Sequence, residues 1–251
     1  MRKDDITEDV LLSEDRGGVR LLTMNRADKL NALNFALTEA LVAAFEAVEA
    51  DETVRAVILT GKGRGFCAGA DTSEFRQLTP ENQGLVEQRA ALTMRLHAAI
   101  PQCRVPVIGA VNGFALGGGS GLALACDYVI AADTARFGYP EVKHGIVAAI
   151  VLPSLVRQVG RKIAFDLVAS GRQVPAAEAA ELRMINRVVA PDALLEVAWD
   201  YATEIAGYSP VAMAETKRLL QATADLGLHE GLELGREANA RMRAFREAEA
   251  Q

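Results

Sequence analysis

Residues 105–132 read VPVIGAVNGFALGGGSGLALACDYVIAA. The run VPVIGAV (105–111) is a short, nearly continuous apolar segment, which predicts a buried strand. Asn112-Gly113 is a turn signal. The glycine-rich piece that follows passes into an Ala/Leu-rich segment, and so reads as a loop feeding a helix. YVIAA (128–132) is short and β-like. Strand, glycine-rich loop, helix and strand in that order predict an α/β fold. The first N–H groups of a helix have no internal partner and favour an anion. Three consecutive glycines, Gly117 to Gly119, let a reacting group lie almost on the backbone. A dinucleotide site is the competing reading. The run sits late in the chain for a GxGxxG fingerprint, and Asp133 is its only candidate for the ribose-binding acid.

Upstream the same alternation holds. Residues 18–24 (GVRLLTM) read as a strand, followed by the polar connection NRADKLNA. Residues 34–50 place Leu37, Leu41, Ala44, Phe45 and Val48 at helical spacing, which predicts an amphipathic helix. Residues 54–60 (VRAVILT) predict a buried strand, and GKGRGFCAGAD directly beyond it a second glycine-rich loop. Residues 72–84 are polar and broken by Pro80 and Gly84, as in a flexible surface loop, and 85–100 form the next helix.

Downstream, ARFGYPEVKHGIV (135–147) carries the next chemically interesting residues. LPSLVRQVG and RKIAFDLVAS read as helical with Gly160 between them, and VPAAEAAELRMINRVV as a proline-started helix with a strand-like end. Beyond residue 191 helical patterns dominate, including 228–249. There is no low-complexity linker and no internal repeat of fixed period.

The chain has 251 residues, half of them hydrophobic but only 5% aromatic, so one large core should rest on Ala, Leu, Val and Ile. A formal charge of -6 disfavours non-specific nucleic-acid binding. Cys67, Cys103 and Cys126 form no CxxC pair and leave one thiol over in any disulfide scheme, which points to a reducing, cytoplasmic setting. His97, His144 and His229 lie far apart, so no metal pattern emerges. The N-terminus MRKDDITEDV has no apolar core of a signal peptide, and no apolar run is long enough to span a membrane.

The two glycine sites make sense together. A thioester carbonyl becomes enolate-like when its α-carbon loses a proton, and two backbone N–H groups from separate loops can hold that oxygen without a metal. The proton carrier that fits best is Glu141, with Gly138 and Pro140 fixing its backbone and Phe137 and Tyr139 drying its surroundings. An ordinary surface glutamate at a helix start is the competing reading. His144 shares a helical face with it, either as a second polar group or as a solvated histidine. Cys67 fits packing better than nucleophilic catalysis, since no histidine is near it in sequence. Arg26, Lys29 and Arg64 end β-like segments, either to receive phosphates or as solvated charge.

Four stretches, NRADKLNALN, VRAVILTGKGRGFCAGAD, VPVIGAVNGFALGGGSGLALACDYVIAA and ARFGYPEVKHGIV, in this order and spacing resemble the crotonase family, the enoyl-CoA hydratases and isomerases, over residues 10 to 245. The resemblance implies an α/β fold with a ββα spiral core over 1–190 and a helical C-terminal oligomerisation region over 191–251. It implies a homotrimer or dimer of trimers, an acyl-CoA substrate, and no tightly bound cofactor or metal. It places the oxyanion-hole donors at the N–H groups of Ala68 and Gly118, the acid/base at Glu141, and CoA contacts near Lys29, Ala68, Ala70, Asp71 and Leu116.

Relatives that add water carry a second glutamate in GGGCE; here the run is GGGSG and the position is Gly121. Asp127, six residues on, is a poor substitute. The pattern is similar to the 3,2-enoyl-CoA isomerases that keep only the glutamate matching Glu141, with hydration a close alternative. Decarboxylation or C–C cleavage of an acyl-CoA, and a CoA-binding protein without efficient chemistry, also stay open. Ala148 and Ala149 alter a segment that lines the acyl pocket in relatives, which fits an atypical acyl group. The end at REAEAQ is short beside relatives, which would open the acyl pocket or weaken a neighbour's contact.

Overall fold

The chain's apolar strands collect into one six-stranded sheet. In a computed structural model that describes residues 9–249, β1 (Leu11–Arg16) pairs antiparallel with β2 (Val19–Met24), and β2 pairs in parallel with β3 (Ala56–Gly61). β5 (Val107–Val111), β7 (Tyr128–Ala132) and β10 (Arg187–Val189) extend it in parallel, giving the order β1-β2-β3-β5-β7-β10. Every residue of β3 and β5 is buried. This is the state of parallel strands covered on both faces, and the reason their sequence runs apolar rather than alternating.

A second sheet was not visible in the sequence. Its strands are β4 (Gly65–Cys67), β6 (Phe114–Leu116), β8 (Arg136–Gly138) and β9 (Gln173–Pro175), each three residues long. β4, β6 and β8 are parallel neighbours, and β9 closes the edge antiparallel. Each of the first three follows a long-sheet strand. A helix then returns the chain: α2 (Gln83–Gln102) after β4, α3 (Gly118–Ala125) after β6, and α4 (Leu152–Ser170) after β8. The result is a ββα unit turned three times, the spiral that the resemblance implied.

The helices form where their apolar stripes find this frame. α1 (Phe35–Ala50) starts at Asn34, whose side chain accepts from the Leu37 N–H, and buries Leu37, Leu41, Phe45 and Val48. α4 is broken at Gly160, between the two helical patterns read in the sequence. One core lies between the long sheet, α1 to α4 and the short sheet; it holds Leu59, Phe66, Val111 and Phe137. The alternate side chains Ile58, Ile108 and Ile130 face the other way and meet Leu194, Ala198 and Ala202 of α6 (Leu194–Ala206). Small residues four apart let α6 lie close to the sheet.

α7 (Pro210–Thr223) packs on α8 (Leu228–Glu249) and against α2. The buried Lys217 holds it there. Its Nζ donates to Ile100 O (3.0 Å), Val105 O (2.9 Å) and Asp127 Oδ2 (2.6 Å), and Asp127 also accepts from the Val107 N–H at 2.8 Å. Asp127 is thereby committed to the frame and cannot stand in for a missing catalytic carboxylate. Residues 1–8 and 250–251, the ends read in the sequence for a leader and for shortness, lie outside the described residues. Among those described, no helix is long and apolar enough to cross a membrane, and no cluster of metal-ligating side chains occurs.

Candidate active site

The two glycine-rich loops leave adjacent strands of the short sheet, because β4 pairs with β6. They meet over a cavity of about 260 Å³, lined on one side by Ala68, Ala70, Gly117 and Gly118 and on another by Glu141.

The first loop is pinned by the segment before α1. The Leu33 N–H donates to Gly69 O (2.7 Å) and the Asp71 N–H to Leu33 O (3.0 Å). The residue between them, Ala70, forms an isolated parallel bridge with Leu33. A bridged residue of this kind turns its own N–H to the far side, and among the described residues no backbone carbonyl accepts from Ala70. Ala68 is different. Its N–H donates to Leu30 O at 2.9 Å. The expected oxyanion donor at Ala68 is therefore spent on the fold, and the free N–H of this loop is two residues on, at Ala70. Gly69 takes a φ of 90°, and a Cβ there would stand 2.7 Å from Leu116 O and 3.4 Å from Gly118 N. Only glycine allows the two loops to approach so closely.

The second loop turns at Gly117, whose N–H donates to Gly138 O at 2.8 Å. Gly118 is the first residue of α3, so its N–H has no partner within the helix and carries part of the helix dipole. Ser120 ties this helix to the strand beside it. Its Oγ donates to Ala115 O (2.6 Å) and accepts from the Gly138 N–H (3.0 Å).

Glu141 rides on a short 3-10 turn, Pro140–His144, set on the fully buried Phe137 and Tyr139. Its Oε2 is buried and has no hydrogen-bond partner among the described residues. Burial pushes its pKa above the usual glutamate range, while its own backbone and the charge of His144 pull weakly the other way. A half-buried carboxylate with a raised pKa and one unsatisfied oxygen is suited to taking a proton from a ligand. His144 is exposed and lines the same cavity.

The other expected residues fall into place unevenly. Asp71 borders the cavity, but its carboxylate pairs with Arg26 (2.8 Å) and accepts from Ser73 N and Oγ (3.0 and 2.6 Å). Arg26 is thus occupied, and also donates to Ala32 O, which removes it as a phosphate receiver. Lys29 and Arg64 are exposed. Leu116 lies on β6 with its carbonyl against Gly69, and neither it nor Lys29 lines the cavity. Cys67 is fully buried and its thiol is pushed up to about 12, so it stays protonated. The polar segment 72–84 is not one loop: it forms two 3-10 turns, Thr72–Arg76 and Pro80–Asn82, and brings Glu74 and Phe75 to the cavity wall.

Sequence reasoning missed three residues of α2. Arg89 and Thr93 line the cavity. His97 lies behind it, and its Nε2 stands 2.8 Å from where a Cβ on Gly121 would be; Val151 Cγ1 stands 2.3 Å from the same point. The space of an absent second carboxylate is therefore occupied. Nothing in the local sequence around His97 signals this, since it depends on the packing of α2 against α3.

Comparisons with known proteins bear on the family and the fold. The family model described as enoyl-CoA hydratase/isomerase matches residues 14–249. A Thermus thermophilus protein provisionally named an enoyl-CoA hydratase is 40% identical over 233 residues, 93% of this chain and 92% of that one. The 2,3-dehydroadipyl-CoA hydratase of Escherichia coli is 39% identical over 215 residues, 85% of this chain and 82% of that one. Among solved structures, an enoyl-CoA hydratase of Mycobacterium smegmatis superposes with a TM-score of 0.89 at 34% identity, covering 93% of this chain and 90% of that one.

Proposed function

Since the chain belongs to the enoyl-CoA hydratase/isomerase family, we propose that it shifts the double bond of a 3-enoyl-CoA to the 2-position, with Glu141 as the single acid and base. One observation carries this reading: the Glu141 carboxylate has a buried, partnerless oxygen, while the volume beyond Gly121 is filled by His97 and Val151. In the proposed reaction Glu141 takes the proton from C2. The C–H electron pair becomes the C1–C2 double bond of a dienolate as the carbonyl π pair moves onto the oxygen, which is held by the N–H groups of Ala70 and Gly118. When the carbonyl reforms, the C1–C2 pair becomes the C2–C3 double bond and the C3–C4 pair takes up the proton at C4. Glu141 then returns the proton to C4. Two preorganised donors at a developing oxyanion lower such a barrier by several kcal/mol, about 3 per donor.

The pantetheine is proposed to pass Ala68 and Ala70, with Lys29, Asp71 and Leu116 framing the CoA approach. Asp71 would act through its backbone position, its carboxylate being spent on Arg26. A trimer or dimer of trimers built through the 191–251 region is proposed too; α7 and α8 expose Leu220, Leu228 and Leu232, the kind of apolar surface an assembly covers.

A second reading, addition of water to a 2-enoyl-CoA, is favoured by the names of the relatives, the E. coli hydratase among them. It would ask Glu141 to both orient water and deliver the α-proton, with His144 as a second polar group in the cavity. The test is mass spectrometry in deuterated water with 3-enoyl-CoA and 2-enoyl-CoA of two chain lengths, alongside Glu141→Gln. Double-bond migration with deuterium incorporation and no gain of water, lost in the variant, supports isomerisation. A gain of water supports hydration. Binding without exchange removes both readings.

A further inference from the structure

One face of α2 carries Arg89, Thr93 and His97, four residues apart and therefore stacked one turn above the next. Each reaches the next or a loop of the site. Arg89, buried, donates through Nη2 to Leu33 O (2.7 Å) and through Nη1 to Thr93 Oγ1 (2.7 Å). Its Nε lies 3.4 Å from Glu74 Oε2, and its guanidinium stands over the Phe35 ring. The Thr93 carbonyl meets His97 Nδ1 at 2.9 Å, and His97 Nε2 meets Gly118 O at 3.2 Å.

The two ends of this row matter because of what they grip. Leu33 is the residue whose bonds to Gly69 and Asp71 bracket Ala70 and turn its N–H outward. Gly118 supplies the other free N–H. The loops that carry the two donors come from different turns of the spiral, and α2 is bonded to both. We propose that the row Arg89–Thr93–His97 is a positioning device that sets the spacing and direction of the Ala70 and Gly118 N–H groups. This inference rests on the enolate-stabilising reading given above.

Two arguments favour it over plain core filling. A buried arginine or histidine is a poor way to fill volume, since apolar residues of similar size usually serve stability as well or better. A buried polar row, with His97 as its Nε2–H tautomer donating to Gly118 O, instead favours one arrangement of its backbone partners, and donors to a reacting oxygen must be held to within about 0.5 Å. The row also explains why the second carboxylate position is a glycine. His97 needs the room beyond Gly121 in order to reach Gly118 O, and the two demands exclude each other.

The experiment compares wild type with His97→Leu, His97→Gln and Arg89→Met. It measures the rate of α-proton exchange of acyl-CoA in deuterated water and, separately, the Kd for saturated butyryl-CoA. The expected result is a roughly 10- to 100-fold loss of exchange rate in His97→Leu and Arg89→Met, with Kd within about threefold of wild type. His97→Gln should recover most of the loss, because its amide N–H can donate to Gly118 O. Exchange rates like wild type, a loss matched in Kd, or a glutamine no better than the leucine would each overturn the proposal. Should His97→Leu or Arg89→Met fail to fold, Thr93→Val is read through the ¹³C shift of the thioester carbonyl of bound [1-¹³C]butyryl-CoA. A shift moved back toward that of free ligand is expected, and one identical to wild type overturns the proposal. If wild type itself neither exchanges nor polarises the carbonyl, the enolate reading falls and takes this inference with it. If wild type does both and the variants match it, the positioning role alone falls.

Discussion

Oε1 of Glu141 lies 2.8 Å from the point where Gly117 would carry a Cβ, and Gly117 holds a φ of 53° with a ψ of -120°. The carboxylate is thus seated directly against the glycine whose turn presents the Gly118 N–H. The proposed base and the turn that carries the proposed oxyanion donor share one steric contact. Gly117→Ala should destabilise the protein by about 1–3 kcal/mol through backbone strain. It should also push Glu141 aside, so that turnover falls more than the shift in denaturant midpoint accounts for.

Glu141→Gln should lower turnover by about 10²- to 10⁴-fold, the usual worth of a positioned acid/base, with little change in acyl-CoA affinity. Because it removes a carboxylate whose Oε2 has no partner, thermal stability should be unchanged or higher. A marked fall in melting temperature would show that the side chain serves the fold rather than the reaction.

The pH dependence follows from the raised pKa of Glu141, caused first by burial. A carboxylate that holds its proton more tightly when folded stabilises the protein fully below the ordinary glutamate value near 4.5, and that contribution is lost as pH rises through the elevated value. The base form has the opposite requirement. The acidic limb of kcat/KM should therefore lie above the ordinary glutamate range, and stability should fall across the interval in which activity rises. Parallel pH titrations of rate and of denaturant midpoint check the two signs.

Gly121→Glu should not create a two-carboxylate hydratase. Its Cβ would press on Val151 and His97, an overpacking that costs about 1–3 kcal/mol. Water addition to 2-enoyl-CoA, measured on the folded fraction, should not exceed that of wild type.

Lys217→Met should destabilise by about 3 kcal/mol, since Asp127, Ile100 O and Val105 O lose a buried cation. The double variant with Asp127→Asn should recover part of this. Equilibrium unfolding in urea decides.

Much of the frame could be read from the chain because its signals are local. The long-sheet strands are apolar runs, α1 has a clean stripe behind an asparagine cap, and Gly160 interrupts a helical pattern where the helix is in fact broken. The short sheet was hidden. GFC, FAL and RFG are too brief for a period and sit among glycines, so they read as loop. β1 was missed for another reason: five of the six residues of LLSEDR are exposed on an edge, with no buried face to leave a pattern. Glu141 stands out in the sequence because glycine, proline and aromatic residues surround it. That the N–H of Ala68 is bonded within the fold while that of Ala70 turns outward was illegible for a different reason. Both are alanines in one loop, and what separates them is a bond to Leu30 and a bridge to Leu33, more than 35 residues earlier in the chain. The α2 row was invisible because its meaning lies in carbonyls of other segments.

Because the proposed electrophile is made of main-chain N–H groups leaving β4 and β6, which lie side by side, no side chain encodes it. Most replacements at Ala70 would leave the donor itself in place and act only through bulk in the cavity. Proline is the one residue that deletes an amide hydrogen outright. A saturation scan at Ala70 would thus single out proline, amid variation governed by size.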